Sequence, residues 1–263
     1  MTANKTTNPV LLFVAFFLTA AVAHADLQNS YSFNAGGDPL IDNTGSAHLL
    51  NAGGVTFGDE DGLTFASFGG TSTSYLVVDE SVEAFDLGSY TLSFWFRLET
   101  TSQINWSGLL SSNYGISGGY QIGFHSGLLR FATGIFAQTV NLTTTADLGT
   151  SAWHLLTISP NGVWVDGTFQ PYSSNYSLPA LKKFALGSSS FKGDIADVRI
   201  YGPETQWDDA MQASAYAEGP GLPAAPNPGT VILISRLEPT PFDRIARGFL
   251  YGTAPRQSPA LQQ

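Results

Sequence analysis

The chain has 263 residues, a formal net charge of −10 and no cysteine, so no disulfide framework supports it. An acidic surface of this kind repels phosphate backbones and anionic lipid heads, which excludes nucleic acid and charge-driven membrane binding as its business. Hydrophobic residues make up 43%, with 18 Phe, 10 Tyr and 5 Trp, enough large rings to build one sizeable core.

Residues 1–25 read as a signal peptide. Lys5 precedes an apolar run over residues 10–23, and Ala23-His24-Ala25 is a small-x-small cleavage pattern. The run falls short of the roughly 20 apolar residues that a spanning helix needs, so no membrane insertion is expected after cleavage. Removing Lys5 takes the charge from −10 to −11. The mature chain is expected to be secreted, extracellular or at the cell surface, with the periplasm as an alternative.

From residue 30 short apolar segments alternate with Gly, Asn, Asp and Ser, the mark of an antiparallel sheet protein. Tyr31-Ser32-Phe33 is a brief first strand. Ile41-Asp42-Asn43-Thr44-Gly45 is either an Asx-type turn or an oxygen-rich loop suited to Ca²⁺. Two strands flank the acidic turn Gly58-Asp59-Glu60-Asp61-Gly62, and residues 75–78 form a further β-prone run.

Residues 90–98 give the clearest alternation in the chain. Leu92, Phe94, Phe96 and Leu98 share a core face, while Thr91, Ser93, Trp95, Arg97 and Glu99 share the other. Trp95 is a candidate stacking platform for a ligand, or else is packed beneath a covering element. In the glycine-rich segment 112–120, Asn113, Tyr114 and Tyr120 could present rings and an amide to a neutral sugar, or form a plain connection.

Trp153-His154-Leu155-Leu156 and Val163-Trp164-Val165 flank an Asn161-Gly162 turn signal. His154 is expected to make a structural polar contact. Residues 191–201 close the sheets. Within them Ala196, Val198 and Ile200 are assigned to one face and Ile195, Asp197, Arg199 and Tyr201 to the other, with an Asp197–Arg199 ion pair along the strand.

A short helix is expected from Glu204 to about Ala217, its acidic first turn matching the positive end of the helix dipole. Residues 220–263 read as a Pro-rich linker and a tail without a fixed fold. Pro226-Asn227-Pro228-Gly229-Thr230 resembles the start of a Pro-Glu-Pro sorting signal. Only four apolar residues follow, so no anchoring function is carried over.

Taken together, Tyr31-Ser32-Phe33, Asp42-Asn43-Thr44-Gly45, Leu63-Thr64-Phe65, residues 90–97, Trp153-His154-Leu155-Leu156, Val163-Trp164-Val165-Asp166-Gly167 and residues 191–201 resemble the laminin G-like domains of the concanavalin A-like lectin/glucanase superfamily. The resemblance covers nearly all of residues 26–219. It implies an all-β, two-sheet antiparallel jelly-roll sandwich with a short helix after the last strand, often with a structural Ca²⁺ ion. For this chain the expected metal ligands are Asp42 and Asp197, brought together by pairing of the first and last strands.

Ala196 stands where many relatives have an acid, which weakens that assignment. The resemblance further implies a binding or adhesion module whose partner is a glycan or surface glycoconjugate. Its alternatives are an adhesive surface protein without a small ligand and a glycoside hydrolase. A retaining glycosidase needs two carboxyl groups about 5–5.5 Å apart. The superfamily's Glu-x-Asp-x-x-Glu strand is absent, Asp59 and Asp61 lie in a turn, and Asp194 and Asp197 are expected on opposite faces, so no catalytic residues are assigned.

Overall fold

A computed structural model describes residues 26–34, 37–44, 47–79, 87–113, 118–133, 139–173 and 175–221. In chain order the elements are β1 (Leu27–Tyr31), β2 (Leu49–Gly53), β3 (Val55–Glu60), β4 (Leu63–Gly69), β5 (Tyr75–Val78), β6 (Thr91–Leu98), β7 (Ser107–Ser112) and β8 (Tyr120–His125). They continue with β9 (Leu128–Thr133), β10 (Thr139–Thr144), α1 (Thr145–Leu148), β11 (His154–Ser159), β12 (Gly162–Val165), β13 (Thr168–Pro171), β14 (Phe184–Leu186), β15 (Lys192–Tyr201) and α2 (Asp209–Glu218). The proposed signal peptide and nearly all of the tail, residues 222–263, lie outside the described residues.

Two antiparallel sheets face one another. The first runs β13-β12-β11-β6-β15-β4-β3, with β1 also paired to β15, and the second runs β10-β9-β8-β7-β14-β5-β2. The predicted all-β sandwich is therefore present. Leu92, Phe94, Phe96 and Leu98 of β6 all enter the core between the sheets, as their alternation requires. Facing rings include Phe124, Phe131 and Phe184 from the second sheet.

Turn chemistry fixes the registers. Asp61 (φ 53°) and Gly62 (φ 85°) both take left-handed backbone between the paired residues Glu60 and Leu63, the conformation that an Asp-Gly hairpin supplies. The β11–β12 turn departs from expectation. Ser159 pairs with Gly162, so Pro160 and Asn161 are the two loop residues and Gly162 already belongs to the strand. A Cβ on Gly162 would lie 2.5 Å from the Gln170 carbonyl oxygen, so close strand approach is what requires glycine there.

The last strand corrects the parity expected for it. β15 is not an edge but lies between β6 on one side and β4 followed by β1 on the other. Asp197 sits in left-handed backbone (φ 49°), and the β6 register slips between Ala196 and Arg199. This β-bulge moves the two halves of the strand out of phase. Ile195 accordingly joins Val198 and Ile200 in the core, while Ala196 packs on the outer face with Phe65, Trp95 and Leu155.

The other corrections are at element ends. β1 comes earlier than expected, because Phe33 (φ 52°) turns the chain just beyond it. α2 begins at Asp209, not Glu204, because Asp208 is the residue that caps it, accepting from the Met211 amide at 2.9 Å. The helix lies against the outer face of the first sheet, where Trp164, Tyr201 and Trp207 cluster with Leu27, Met211 and Ala215.

Candidate functional site

The residues singled out for binding are dispersed and occupied. Trp95 is 5% exposed, covered by α2, with Tyr216 stacked on it at 5.8 Å and 20°. It is therefore a packed residue and offers no platform. Tyr120 is 2% exposed, and its hydroxyl meets that of Tyr90 at 2.9 Å in the core.

Asn113 (φ 51°) staples a neighbouring segment. Its Nδ2 donates to the Ala180 carbonyl at 3.0 Å, and its Oδ1 accepts from the Lys182 amide at 2.9 Å. Tyr114 lies outside the described residues. A loop presenting Asn113 and Tyr120 together to a sugar is not what the structure shows.

The two acids expected to share a cation have separate partners. β1 does pair with β15, as expected. Asp42, however, accepts from Asn29 Nδ2 at 2.6 Å, from the Ser30 amide at 2.9 Å, and from the Thr44 amide and hydroxyl at 3.1 and 2.9 Å. The Thr44 amide bond is the Asx turn anticipated as the alternative. Asp197 is gripped by Arg199 Nε and Nη2 at 2.8 and 2.7 Å. Among the described residues no group of three or more His, Asp or Glu side chains is placed to hold a metal ion.

The bulge also overturns the expectation that Asp194 and Asp197 point apart. Both now face outward on the first sheet, but they border different cavities and each has its own arginine.

A site that the sequence reading did not assemble lies across β3, β4, β15 and β6 on this outer face. Arg97 is its centre. Its Nε donates to Asp194 Oδ2 at 2.6 Å and its Nη1 to Glu60, and its guanidinium lies 4.9 Å from the Phe65 ring centroid and 4.7 Å from that of Trp153. Burial opposes the charge on Arg97, but the Asp194 and Glu60 carboxylates more than offset it and raise its pKa.

Asp194 also accepts from the Ser67 hydroxyl, and Lys192 Nζ is 2.9 Å from Glu99. Between these groups runs a groove of about 630 Å³ lined by Thr56, Glu60, Ser67, Arg97, Glu99 and Asp194. Small-molecule sites commonly occupy about 300–1,000 Å³. Arg97 commits Nε to Asp194 and Nη1 to Glu60, and the further lone pairs of these carboxylates and of Glu99, with the Thr56 and Ser67 hydroxyls, face the groove, with half-buried Trp153 beside Arg97. Such a wall accepts hydrogen bonds from hydroxyl groups. Period-two alternation places Arg97 outward, but its partners come from strands whose pairing is not visible in the linear chain.

No protein-family model matches the chain, and no curated protein matches it. Solved structures do share its fold. Domain 4 of AbnA, a GH43 extracellular arabinanase from Geobacillus stearothermophilus solved in complex with arabinotriose, is 20% identical with a TM-score of 0.54, over 73% of this chain and 98% of that one. The receptor-binding domain of botulinum neurotoxin D is 14% identical with a TM-score of 0.57, over 73% of this chain and 52% of that one. The serotype D domain in complex with N-acetylneuraminic acid is 14% identical with a TM-score of 0.56, over 74% and 51%. The chain thus spans about half the length of the neurotoxin domains and nearly all of the arabinanase domain. At these identities the likeness establishes the β-sandwich fold.

Proposed function

We propose that the chain is an exported, non-catalytic carbohydrate-binding module of the laminin G-like type, and that the Arg97-centred groove receives a neutral oligosaccharide. The observation that carries this reading is the groove itself, in which Glu60, Asp194 and Glu99 place acceptor oxygens around Arg97. Hydroxyl donors of a sugar match that wall, whereas a polyanion does not. The solved structures of like fold include binding domains in complex with arabinotriose and with N-acetylneuraminic acid, which favours a glycan partner.

A hydrolytic role finds no support in the groove. A glycosidase needs one carboxyl group free to donate a proton and another free to attack or to activate water. Glu60 and Asp194 are instead both bound to one guanidinium.

The test is a glycan array followed by calorimetric titration of neutral oligosaccharides, arabino-oligosaccharides among them, with and without chelator. Glu60→Gln should weaken binding about ten-fold, the loss of one charge-assisted hydrogen bond. Absence of binding to every neutral glycan would remove this reading and leave the adhesive one.

A further inference from the structure

The second sheet carries a different chemistry. Its seven strands contain no Asp or Glu, although the chain has 21 acidic residues, and Arg130 on β9 is the only Lys or Arg among them. Leu129 and Phe131 point into the core, so Arg130 points outward. Arg97 and Arg199 are both held by carboxylates, whereas Arg130 has no ion-pair partner among the described residues. Its Nε is buried with no hydrogen-bond partner, and so is Nδ1 of His125.

Register brings these groups to one place. Arg130 pairs with Gly123, which lacks a side chain, and His125 lies two residues further along β8 on the same face. Such diagonal neighbours are about 7–8 Å apart. The Trp106 ring lies tilted at 32° against His125, with ring centroids 4.2 Å apart, and Trp106 is held in left-handed backbone (φ 69°) by its own amide donating to the Phe124 carbonyl at 2.6 Å. Gln121 Nε2 donates to the Trp106 carbonyl at 3.2 Å, and Ser111 and Ser188 meet beside it at 2.8 Å. A half-buried indole thus stands beside an uncompensated guanidinium and an imidazole nitrogen without a partner. Buried donors without acceptors are uncommon and point to an absent acceptor.

We infer that the outer face of the second sheet is a separate site for a carboxylate-bearing sugar, with Arg130 and His125 addressing the carboxylate and Trp106 the sugar ring. The inference extends the carbohydrate reading to a second surface whose chemistry is opposite to that of the Arg97 groove. A guanidinium recognises a carboxylate by charge-assisted, often bidentate, hydrogen bonds, and a tryptophan face covers the apolar side of a pyranose.

The test is calorimetric titration of the full chain with tri-galacturonate and with its methyl ester, and with sialyllactose and lactose, at low ionic strength. The acid form should bind about ten-fold or more tightly than its neutral counterpart in at least one pair, the worth of one charged hydrogen bond. That preference should vanish in Arg130→Gln. Equal affinity for acid and neutral forms in both pairs, or a preference retained by Arg130→Gln, overturns the inference. The acid-to-neutral ratio is read on the wild-type chain, so it decides even where the variant does not fold. Neutral glycans binding without any acid preference would leave the Arg97 groove standing and remove this site alone.

Discussion

Arg199 grips Asp197, two residues before it in the same strand, through Nε at 2.8 Å and Nη2 at 2.7 Å. The left-handed turn at Asp197 makes this possible by letting the carboxylate fold back over the following residues. Both side chains are only 11% exposed, so neither charge is well solvated without the other. Asp197→Ala should therefore cost about 3–5 kcal/mol, since it strands a buried guanidinium. Asp197→Asn keeps the shape and should cost less. Urea unfolding of both variants measures the difference; a loss below 1 kcal/mol in the alanine variant would count against the pair as a fold determinant.

His154 should make stability depend on pH near neutrality. Burial disfavours its charged form, but the Asp166 carboxylate at 3.0 Å from Nδ1 and the Leu148 carbonyl at 2.8 Å from Nε2 outweigh this and raise its pKa. A raised histidine contributes stability that is fully present below the unfolded value of about 6.5 and is lost as pH rises through the folded one. The melting temperature should accordingly fall as pH passes upward from about 6.5, and His154→Gln should flatten that slope.

Asp42 gives the opposite sign. Burial pushes its carboxyl up, yet the Ser30 amide, Asn29 and both Thr44 donors prevail and hold it below the usual value. Its contribution is present above the unfolded value of about 3.9 and is lost as pH falls through the folded one. Asp42→Asn should shallow the acid limb of the stability curve below about pH 4. Because these donors and Arg199 already satisfy the two acids, Ca²⁺ or a chelator should leave the melting temperature unchanged. A rise with Ca²⁺ concentration would reveal a binding site, since a ligand of the folded state must stabilise it.

Tyr216 is 46% exposed, yet it stacks on buried Trp95. Tyr216→Ala should cost about 0.5–1.5 kcal/mol and admit water to the indole. A red shift of tryptophan emission together with a lower urea midpoint is the expected signature.

The sheets were legible where one periodicity ran unbroken. In β6 strict alternation identified both faces, and Arg97 turned out on the face assigned to it. In β15 the same rule failed after Ala196, because a single left-handed residue resets the phase and Asp is a type that tolerates that backbone without glycine as a flag. For Trp95 the sequence left platform and packed residue both open, because the element that covers it, α2, lies more than a hundred residues away. Both outward-facing sites were invisible for a related reason. Each draws single residues from several strands, and strand order is a property of the sheet, not of the linear chain.

The position of β15 also governs how the molecule must form. It is an interior strand of the first sheet and joins β6, β4 and β1, so that sheet stays in separate pieces until residues 192–201 are available. Leu27 must then find Tyr201, and Asn29 must find Ile200, across most of the described chain. Long-range pairings of this kind slow folding by the entropy of closing large loops. The growing polypeptide therefore spends its synthesis with strand edges open, a state exposed to self-association if kept waiting.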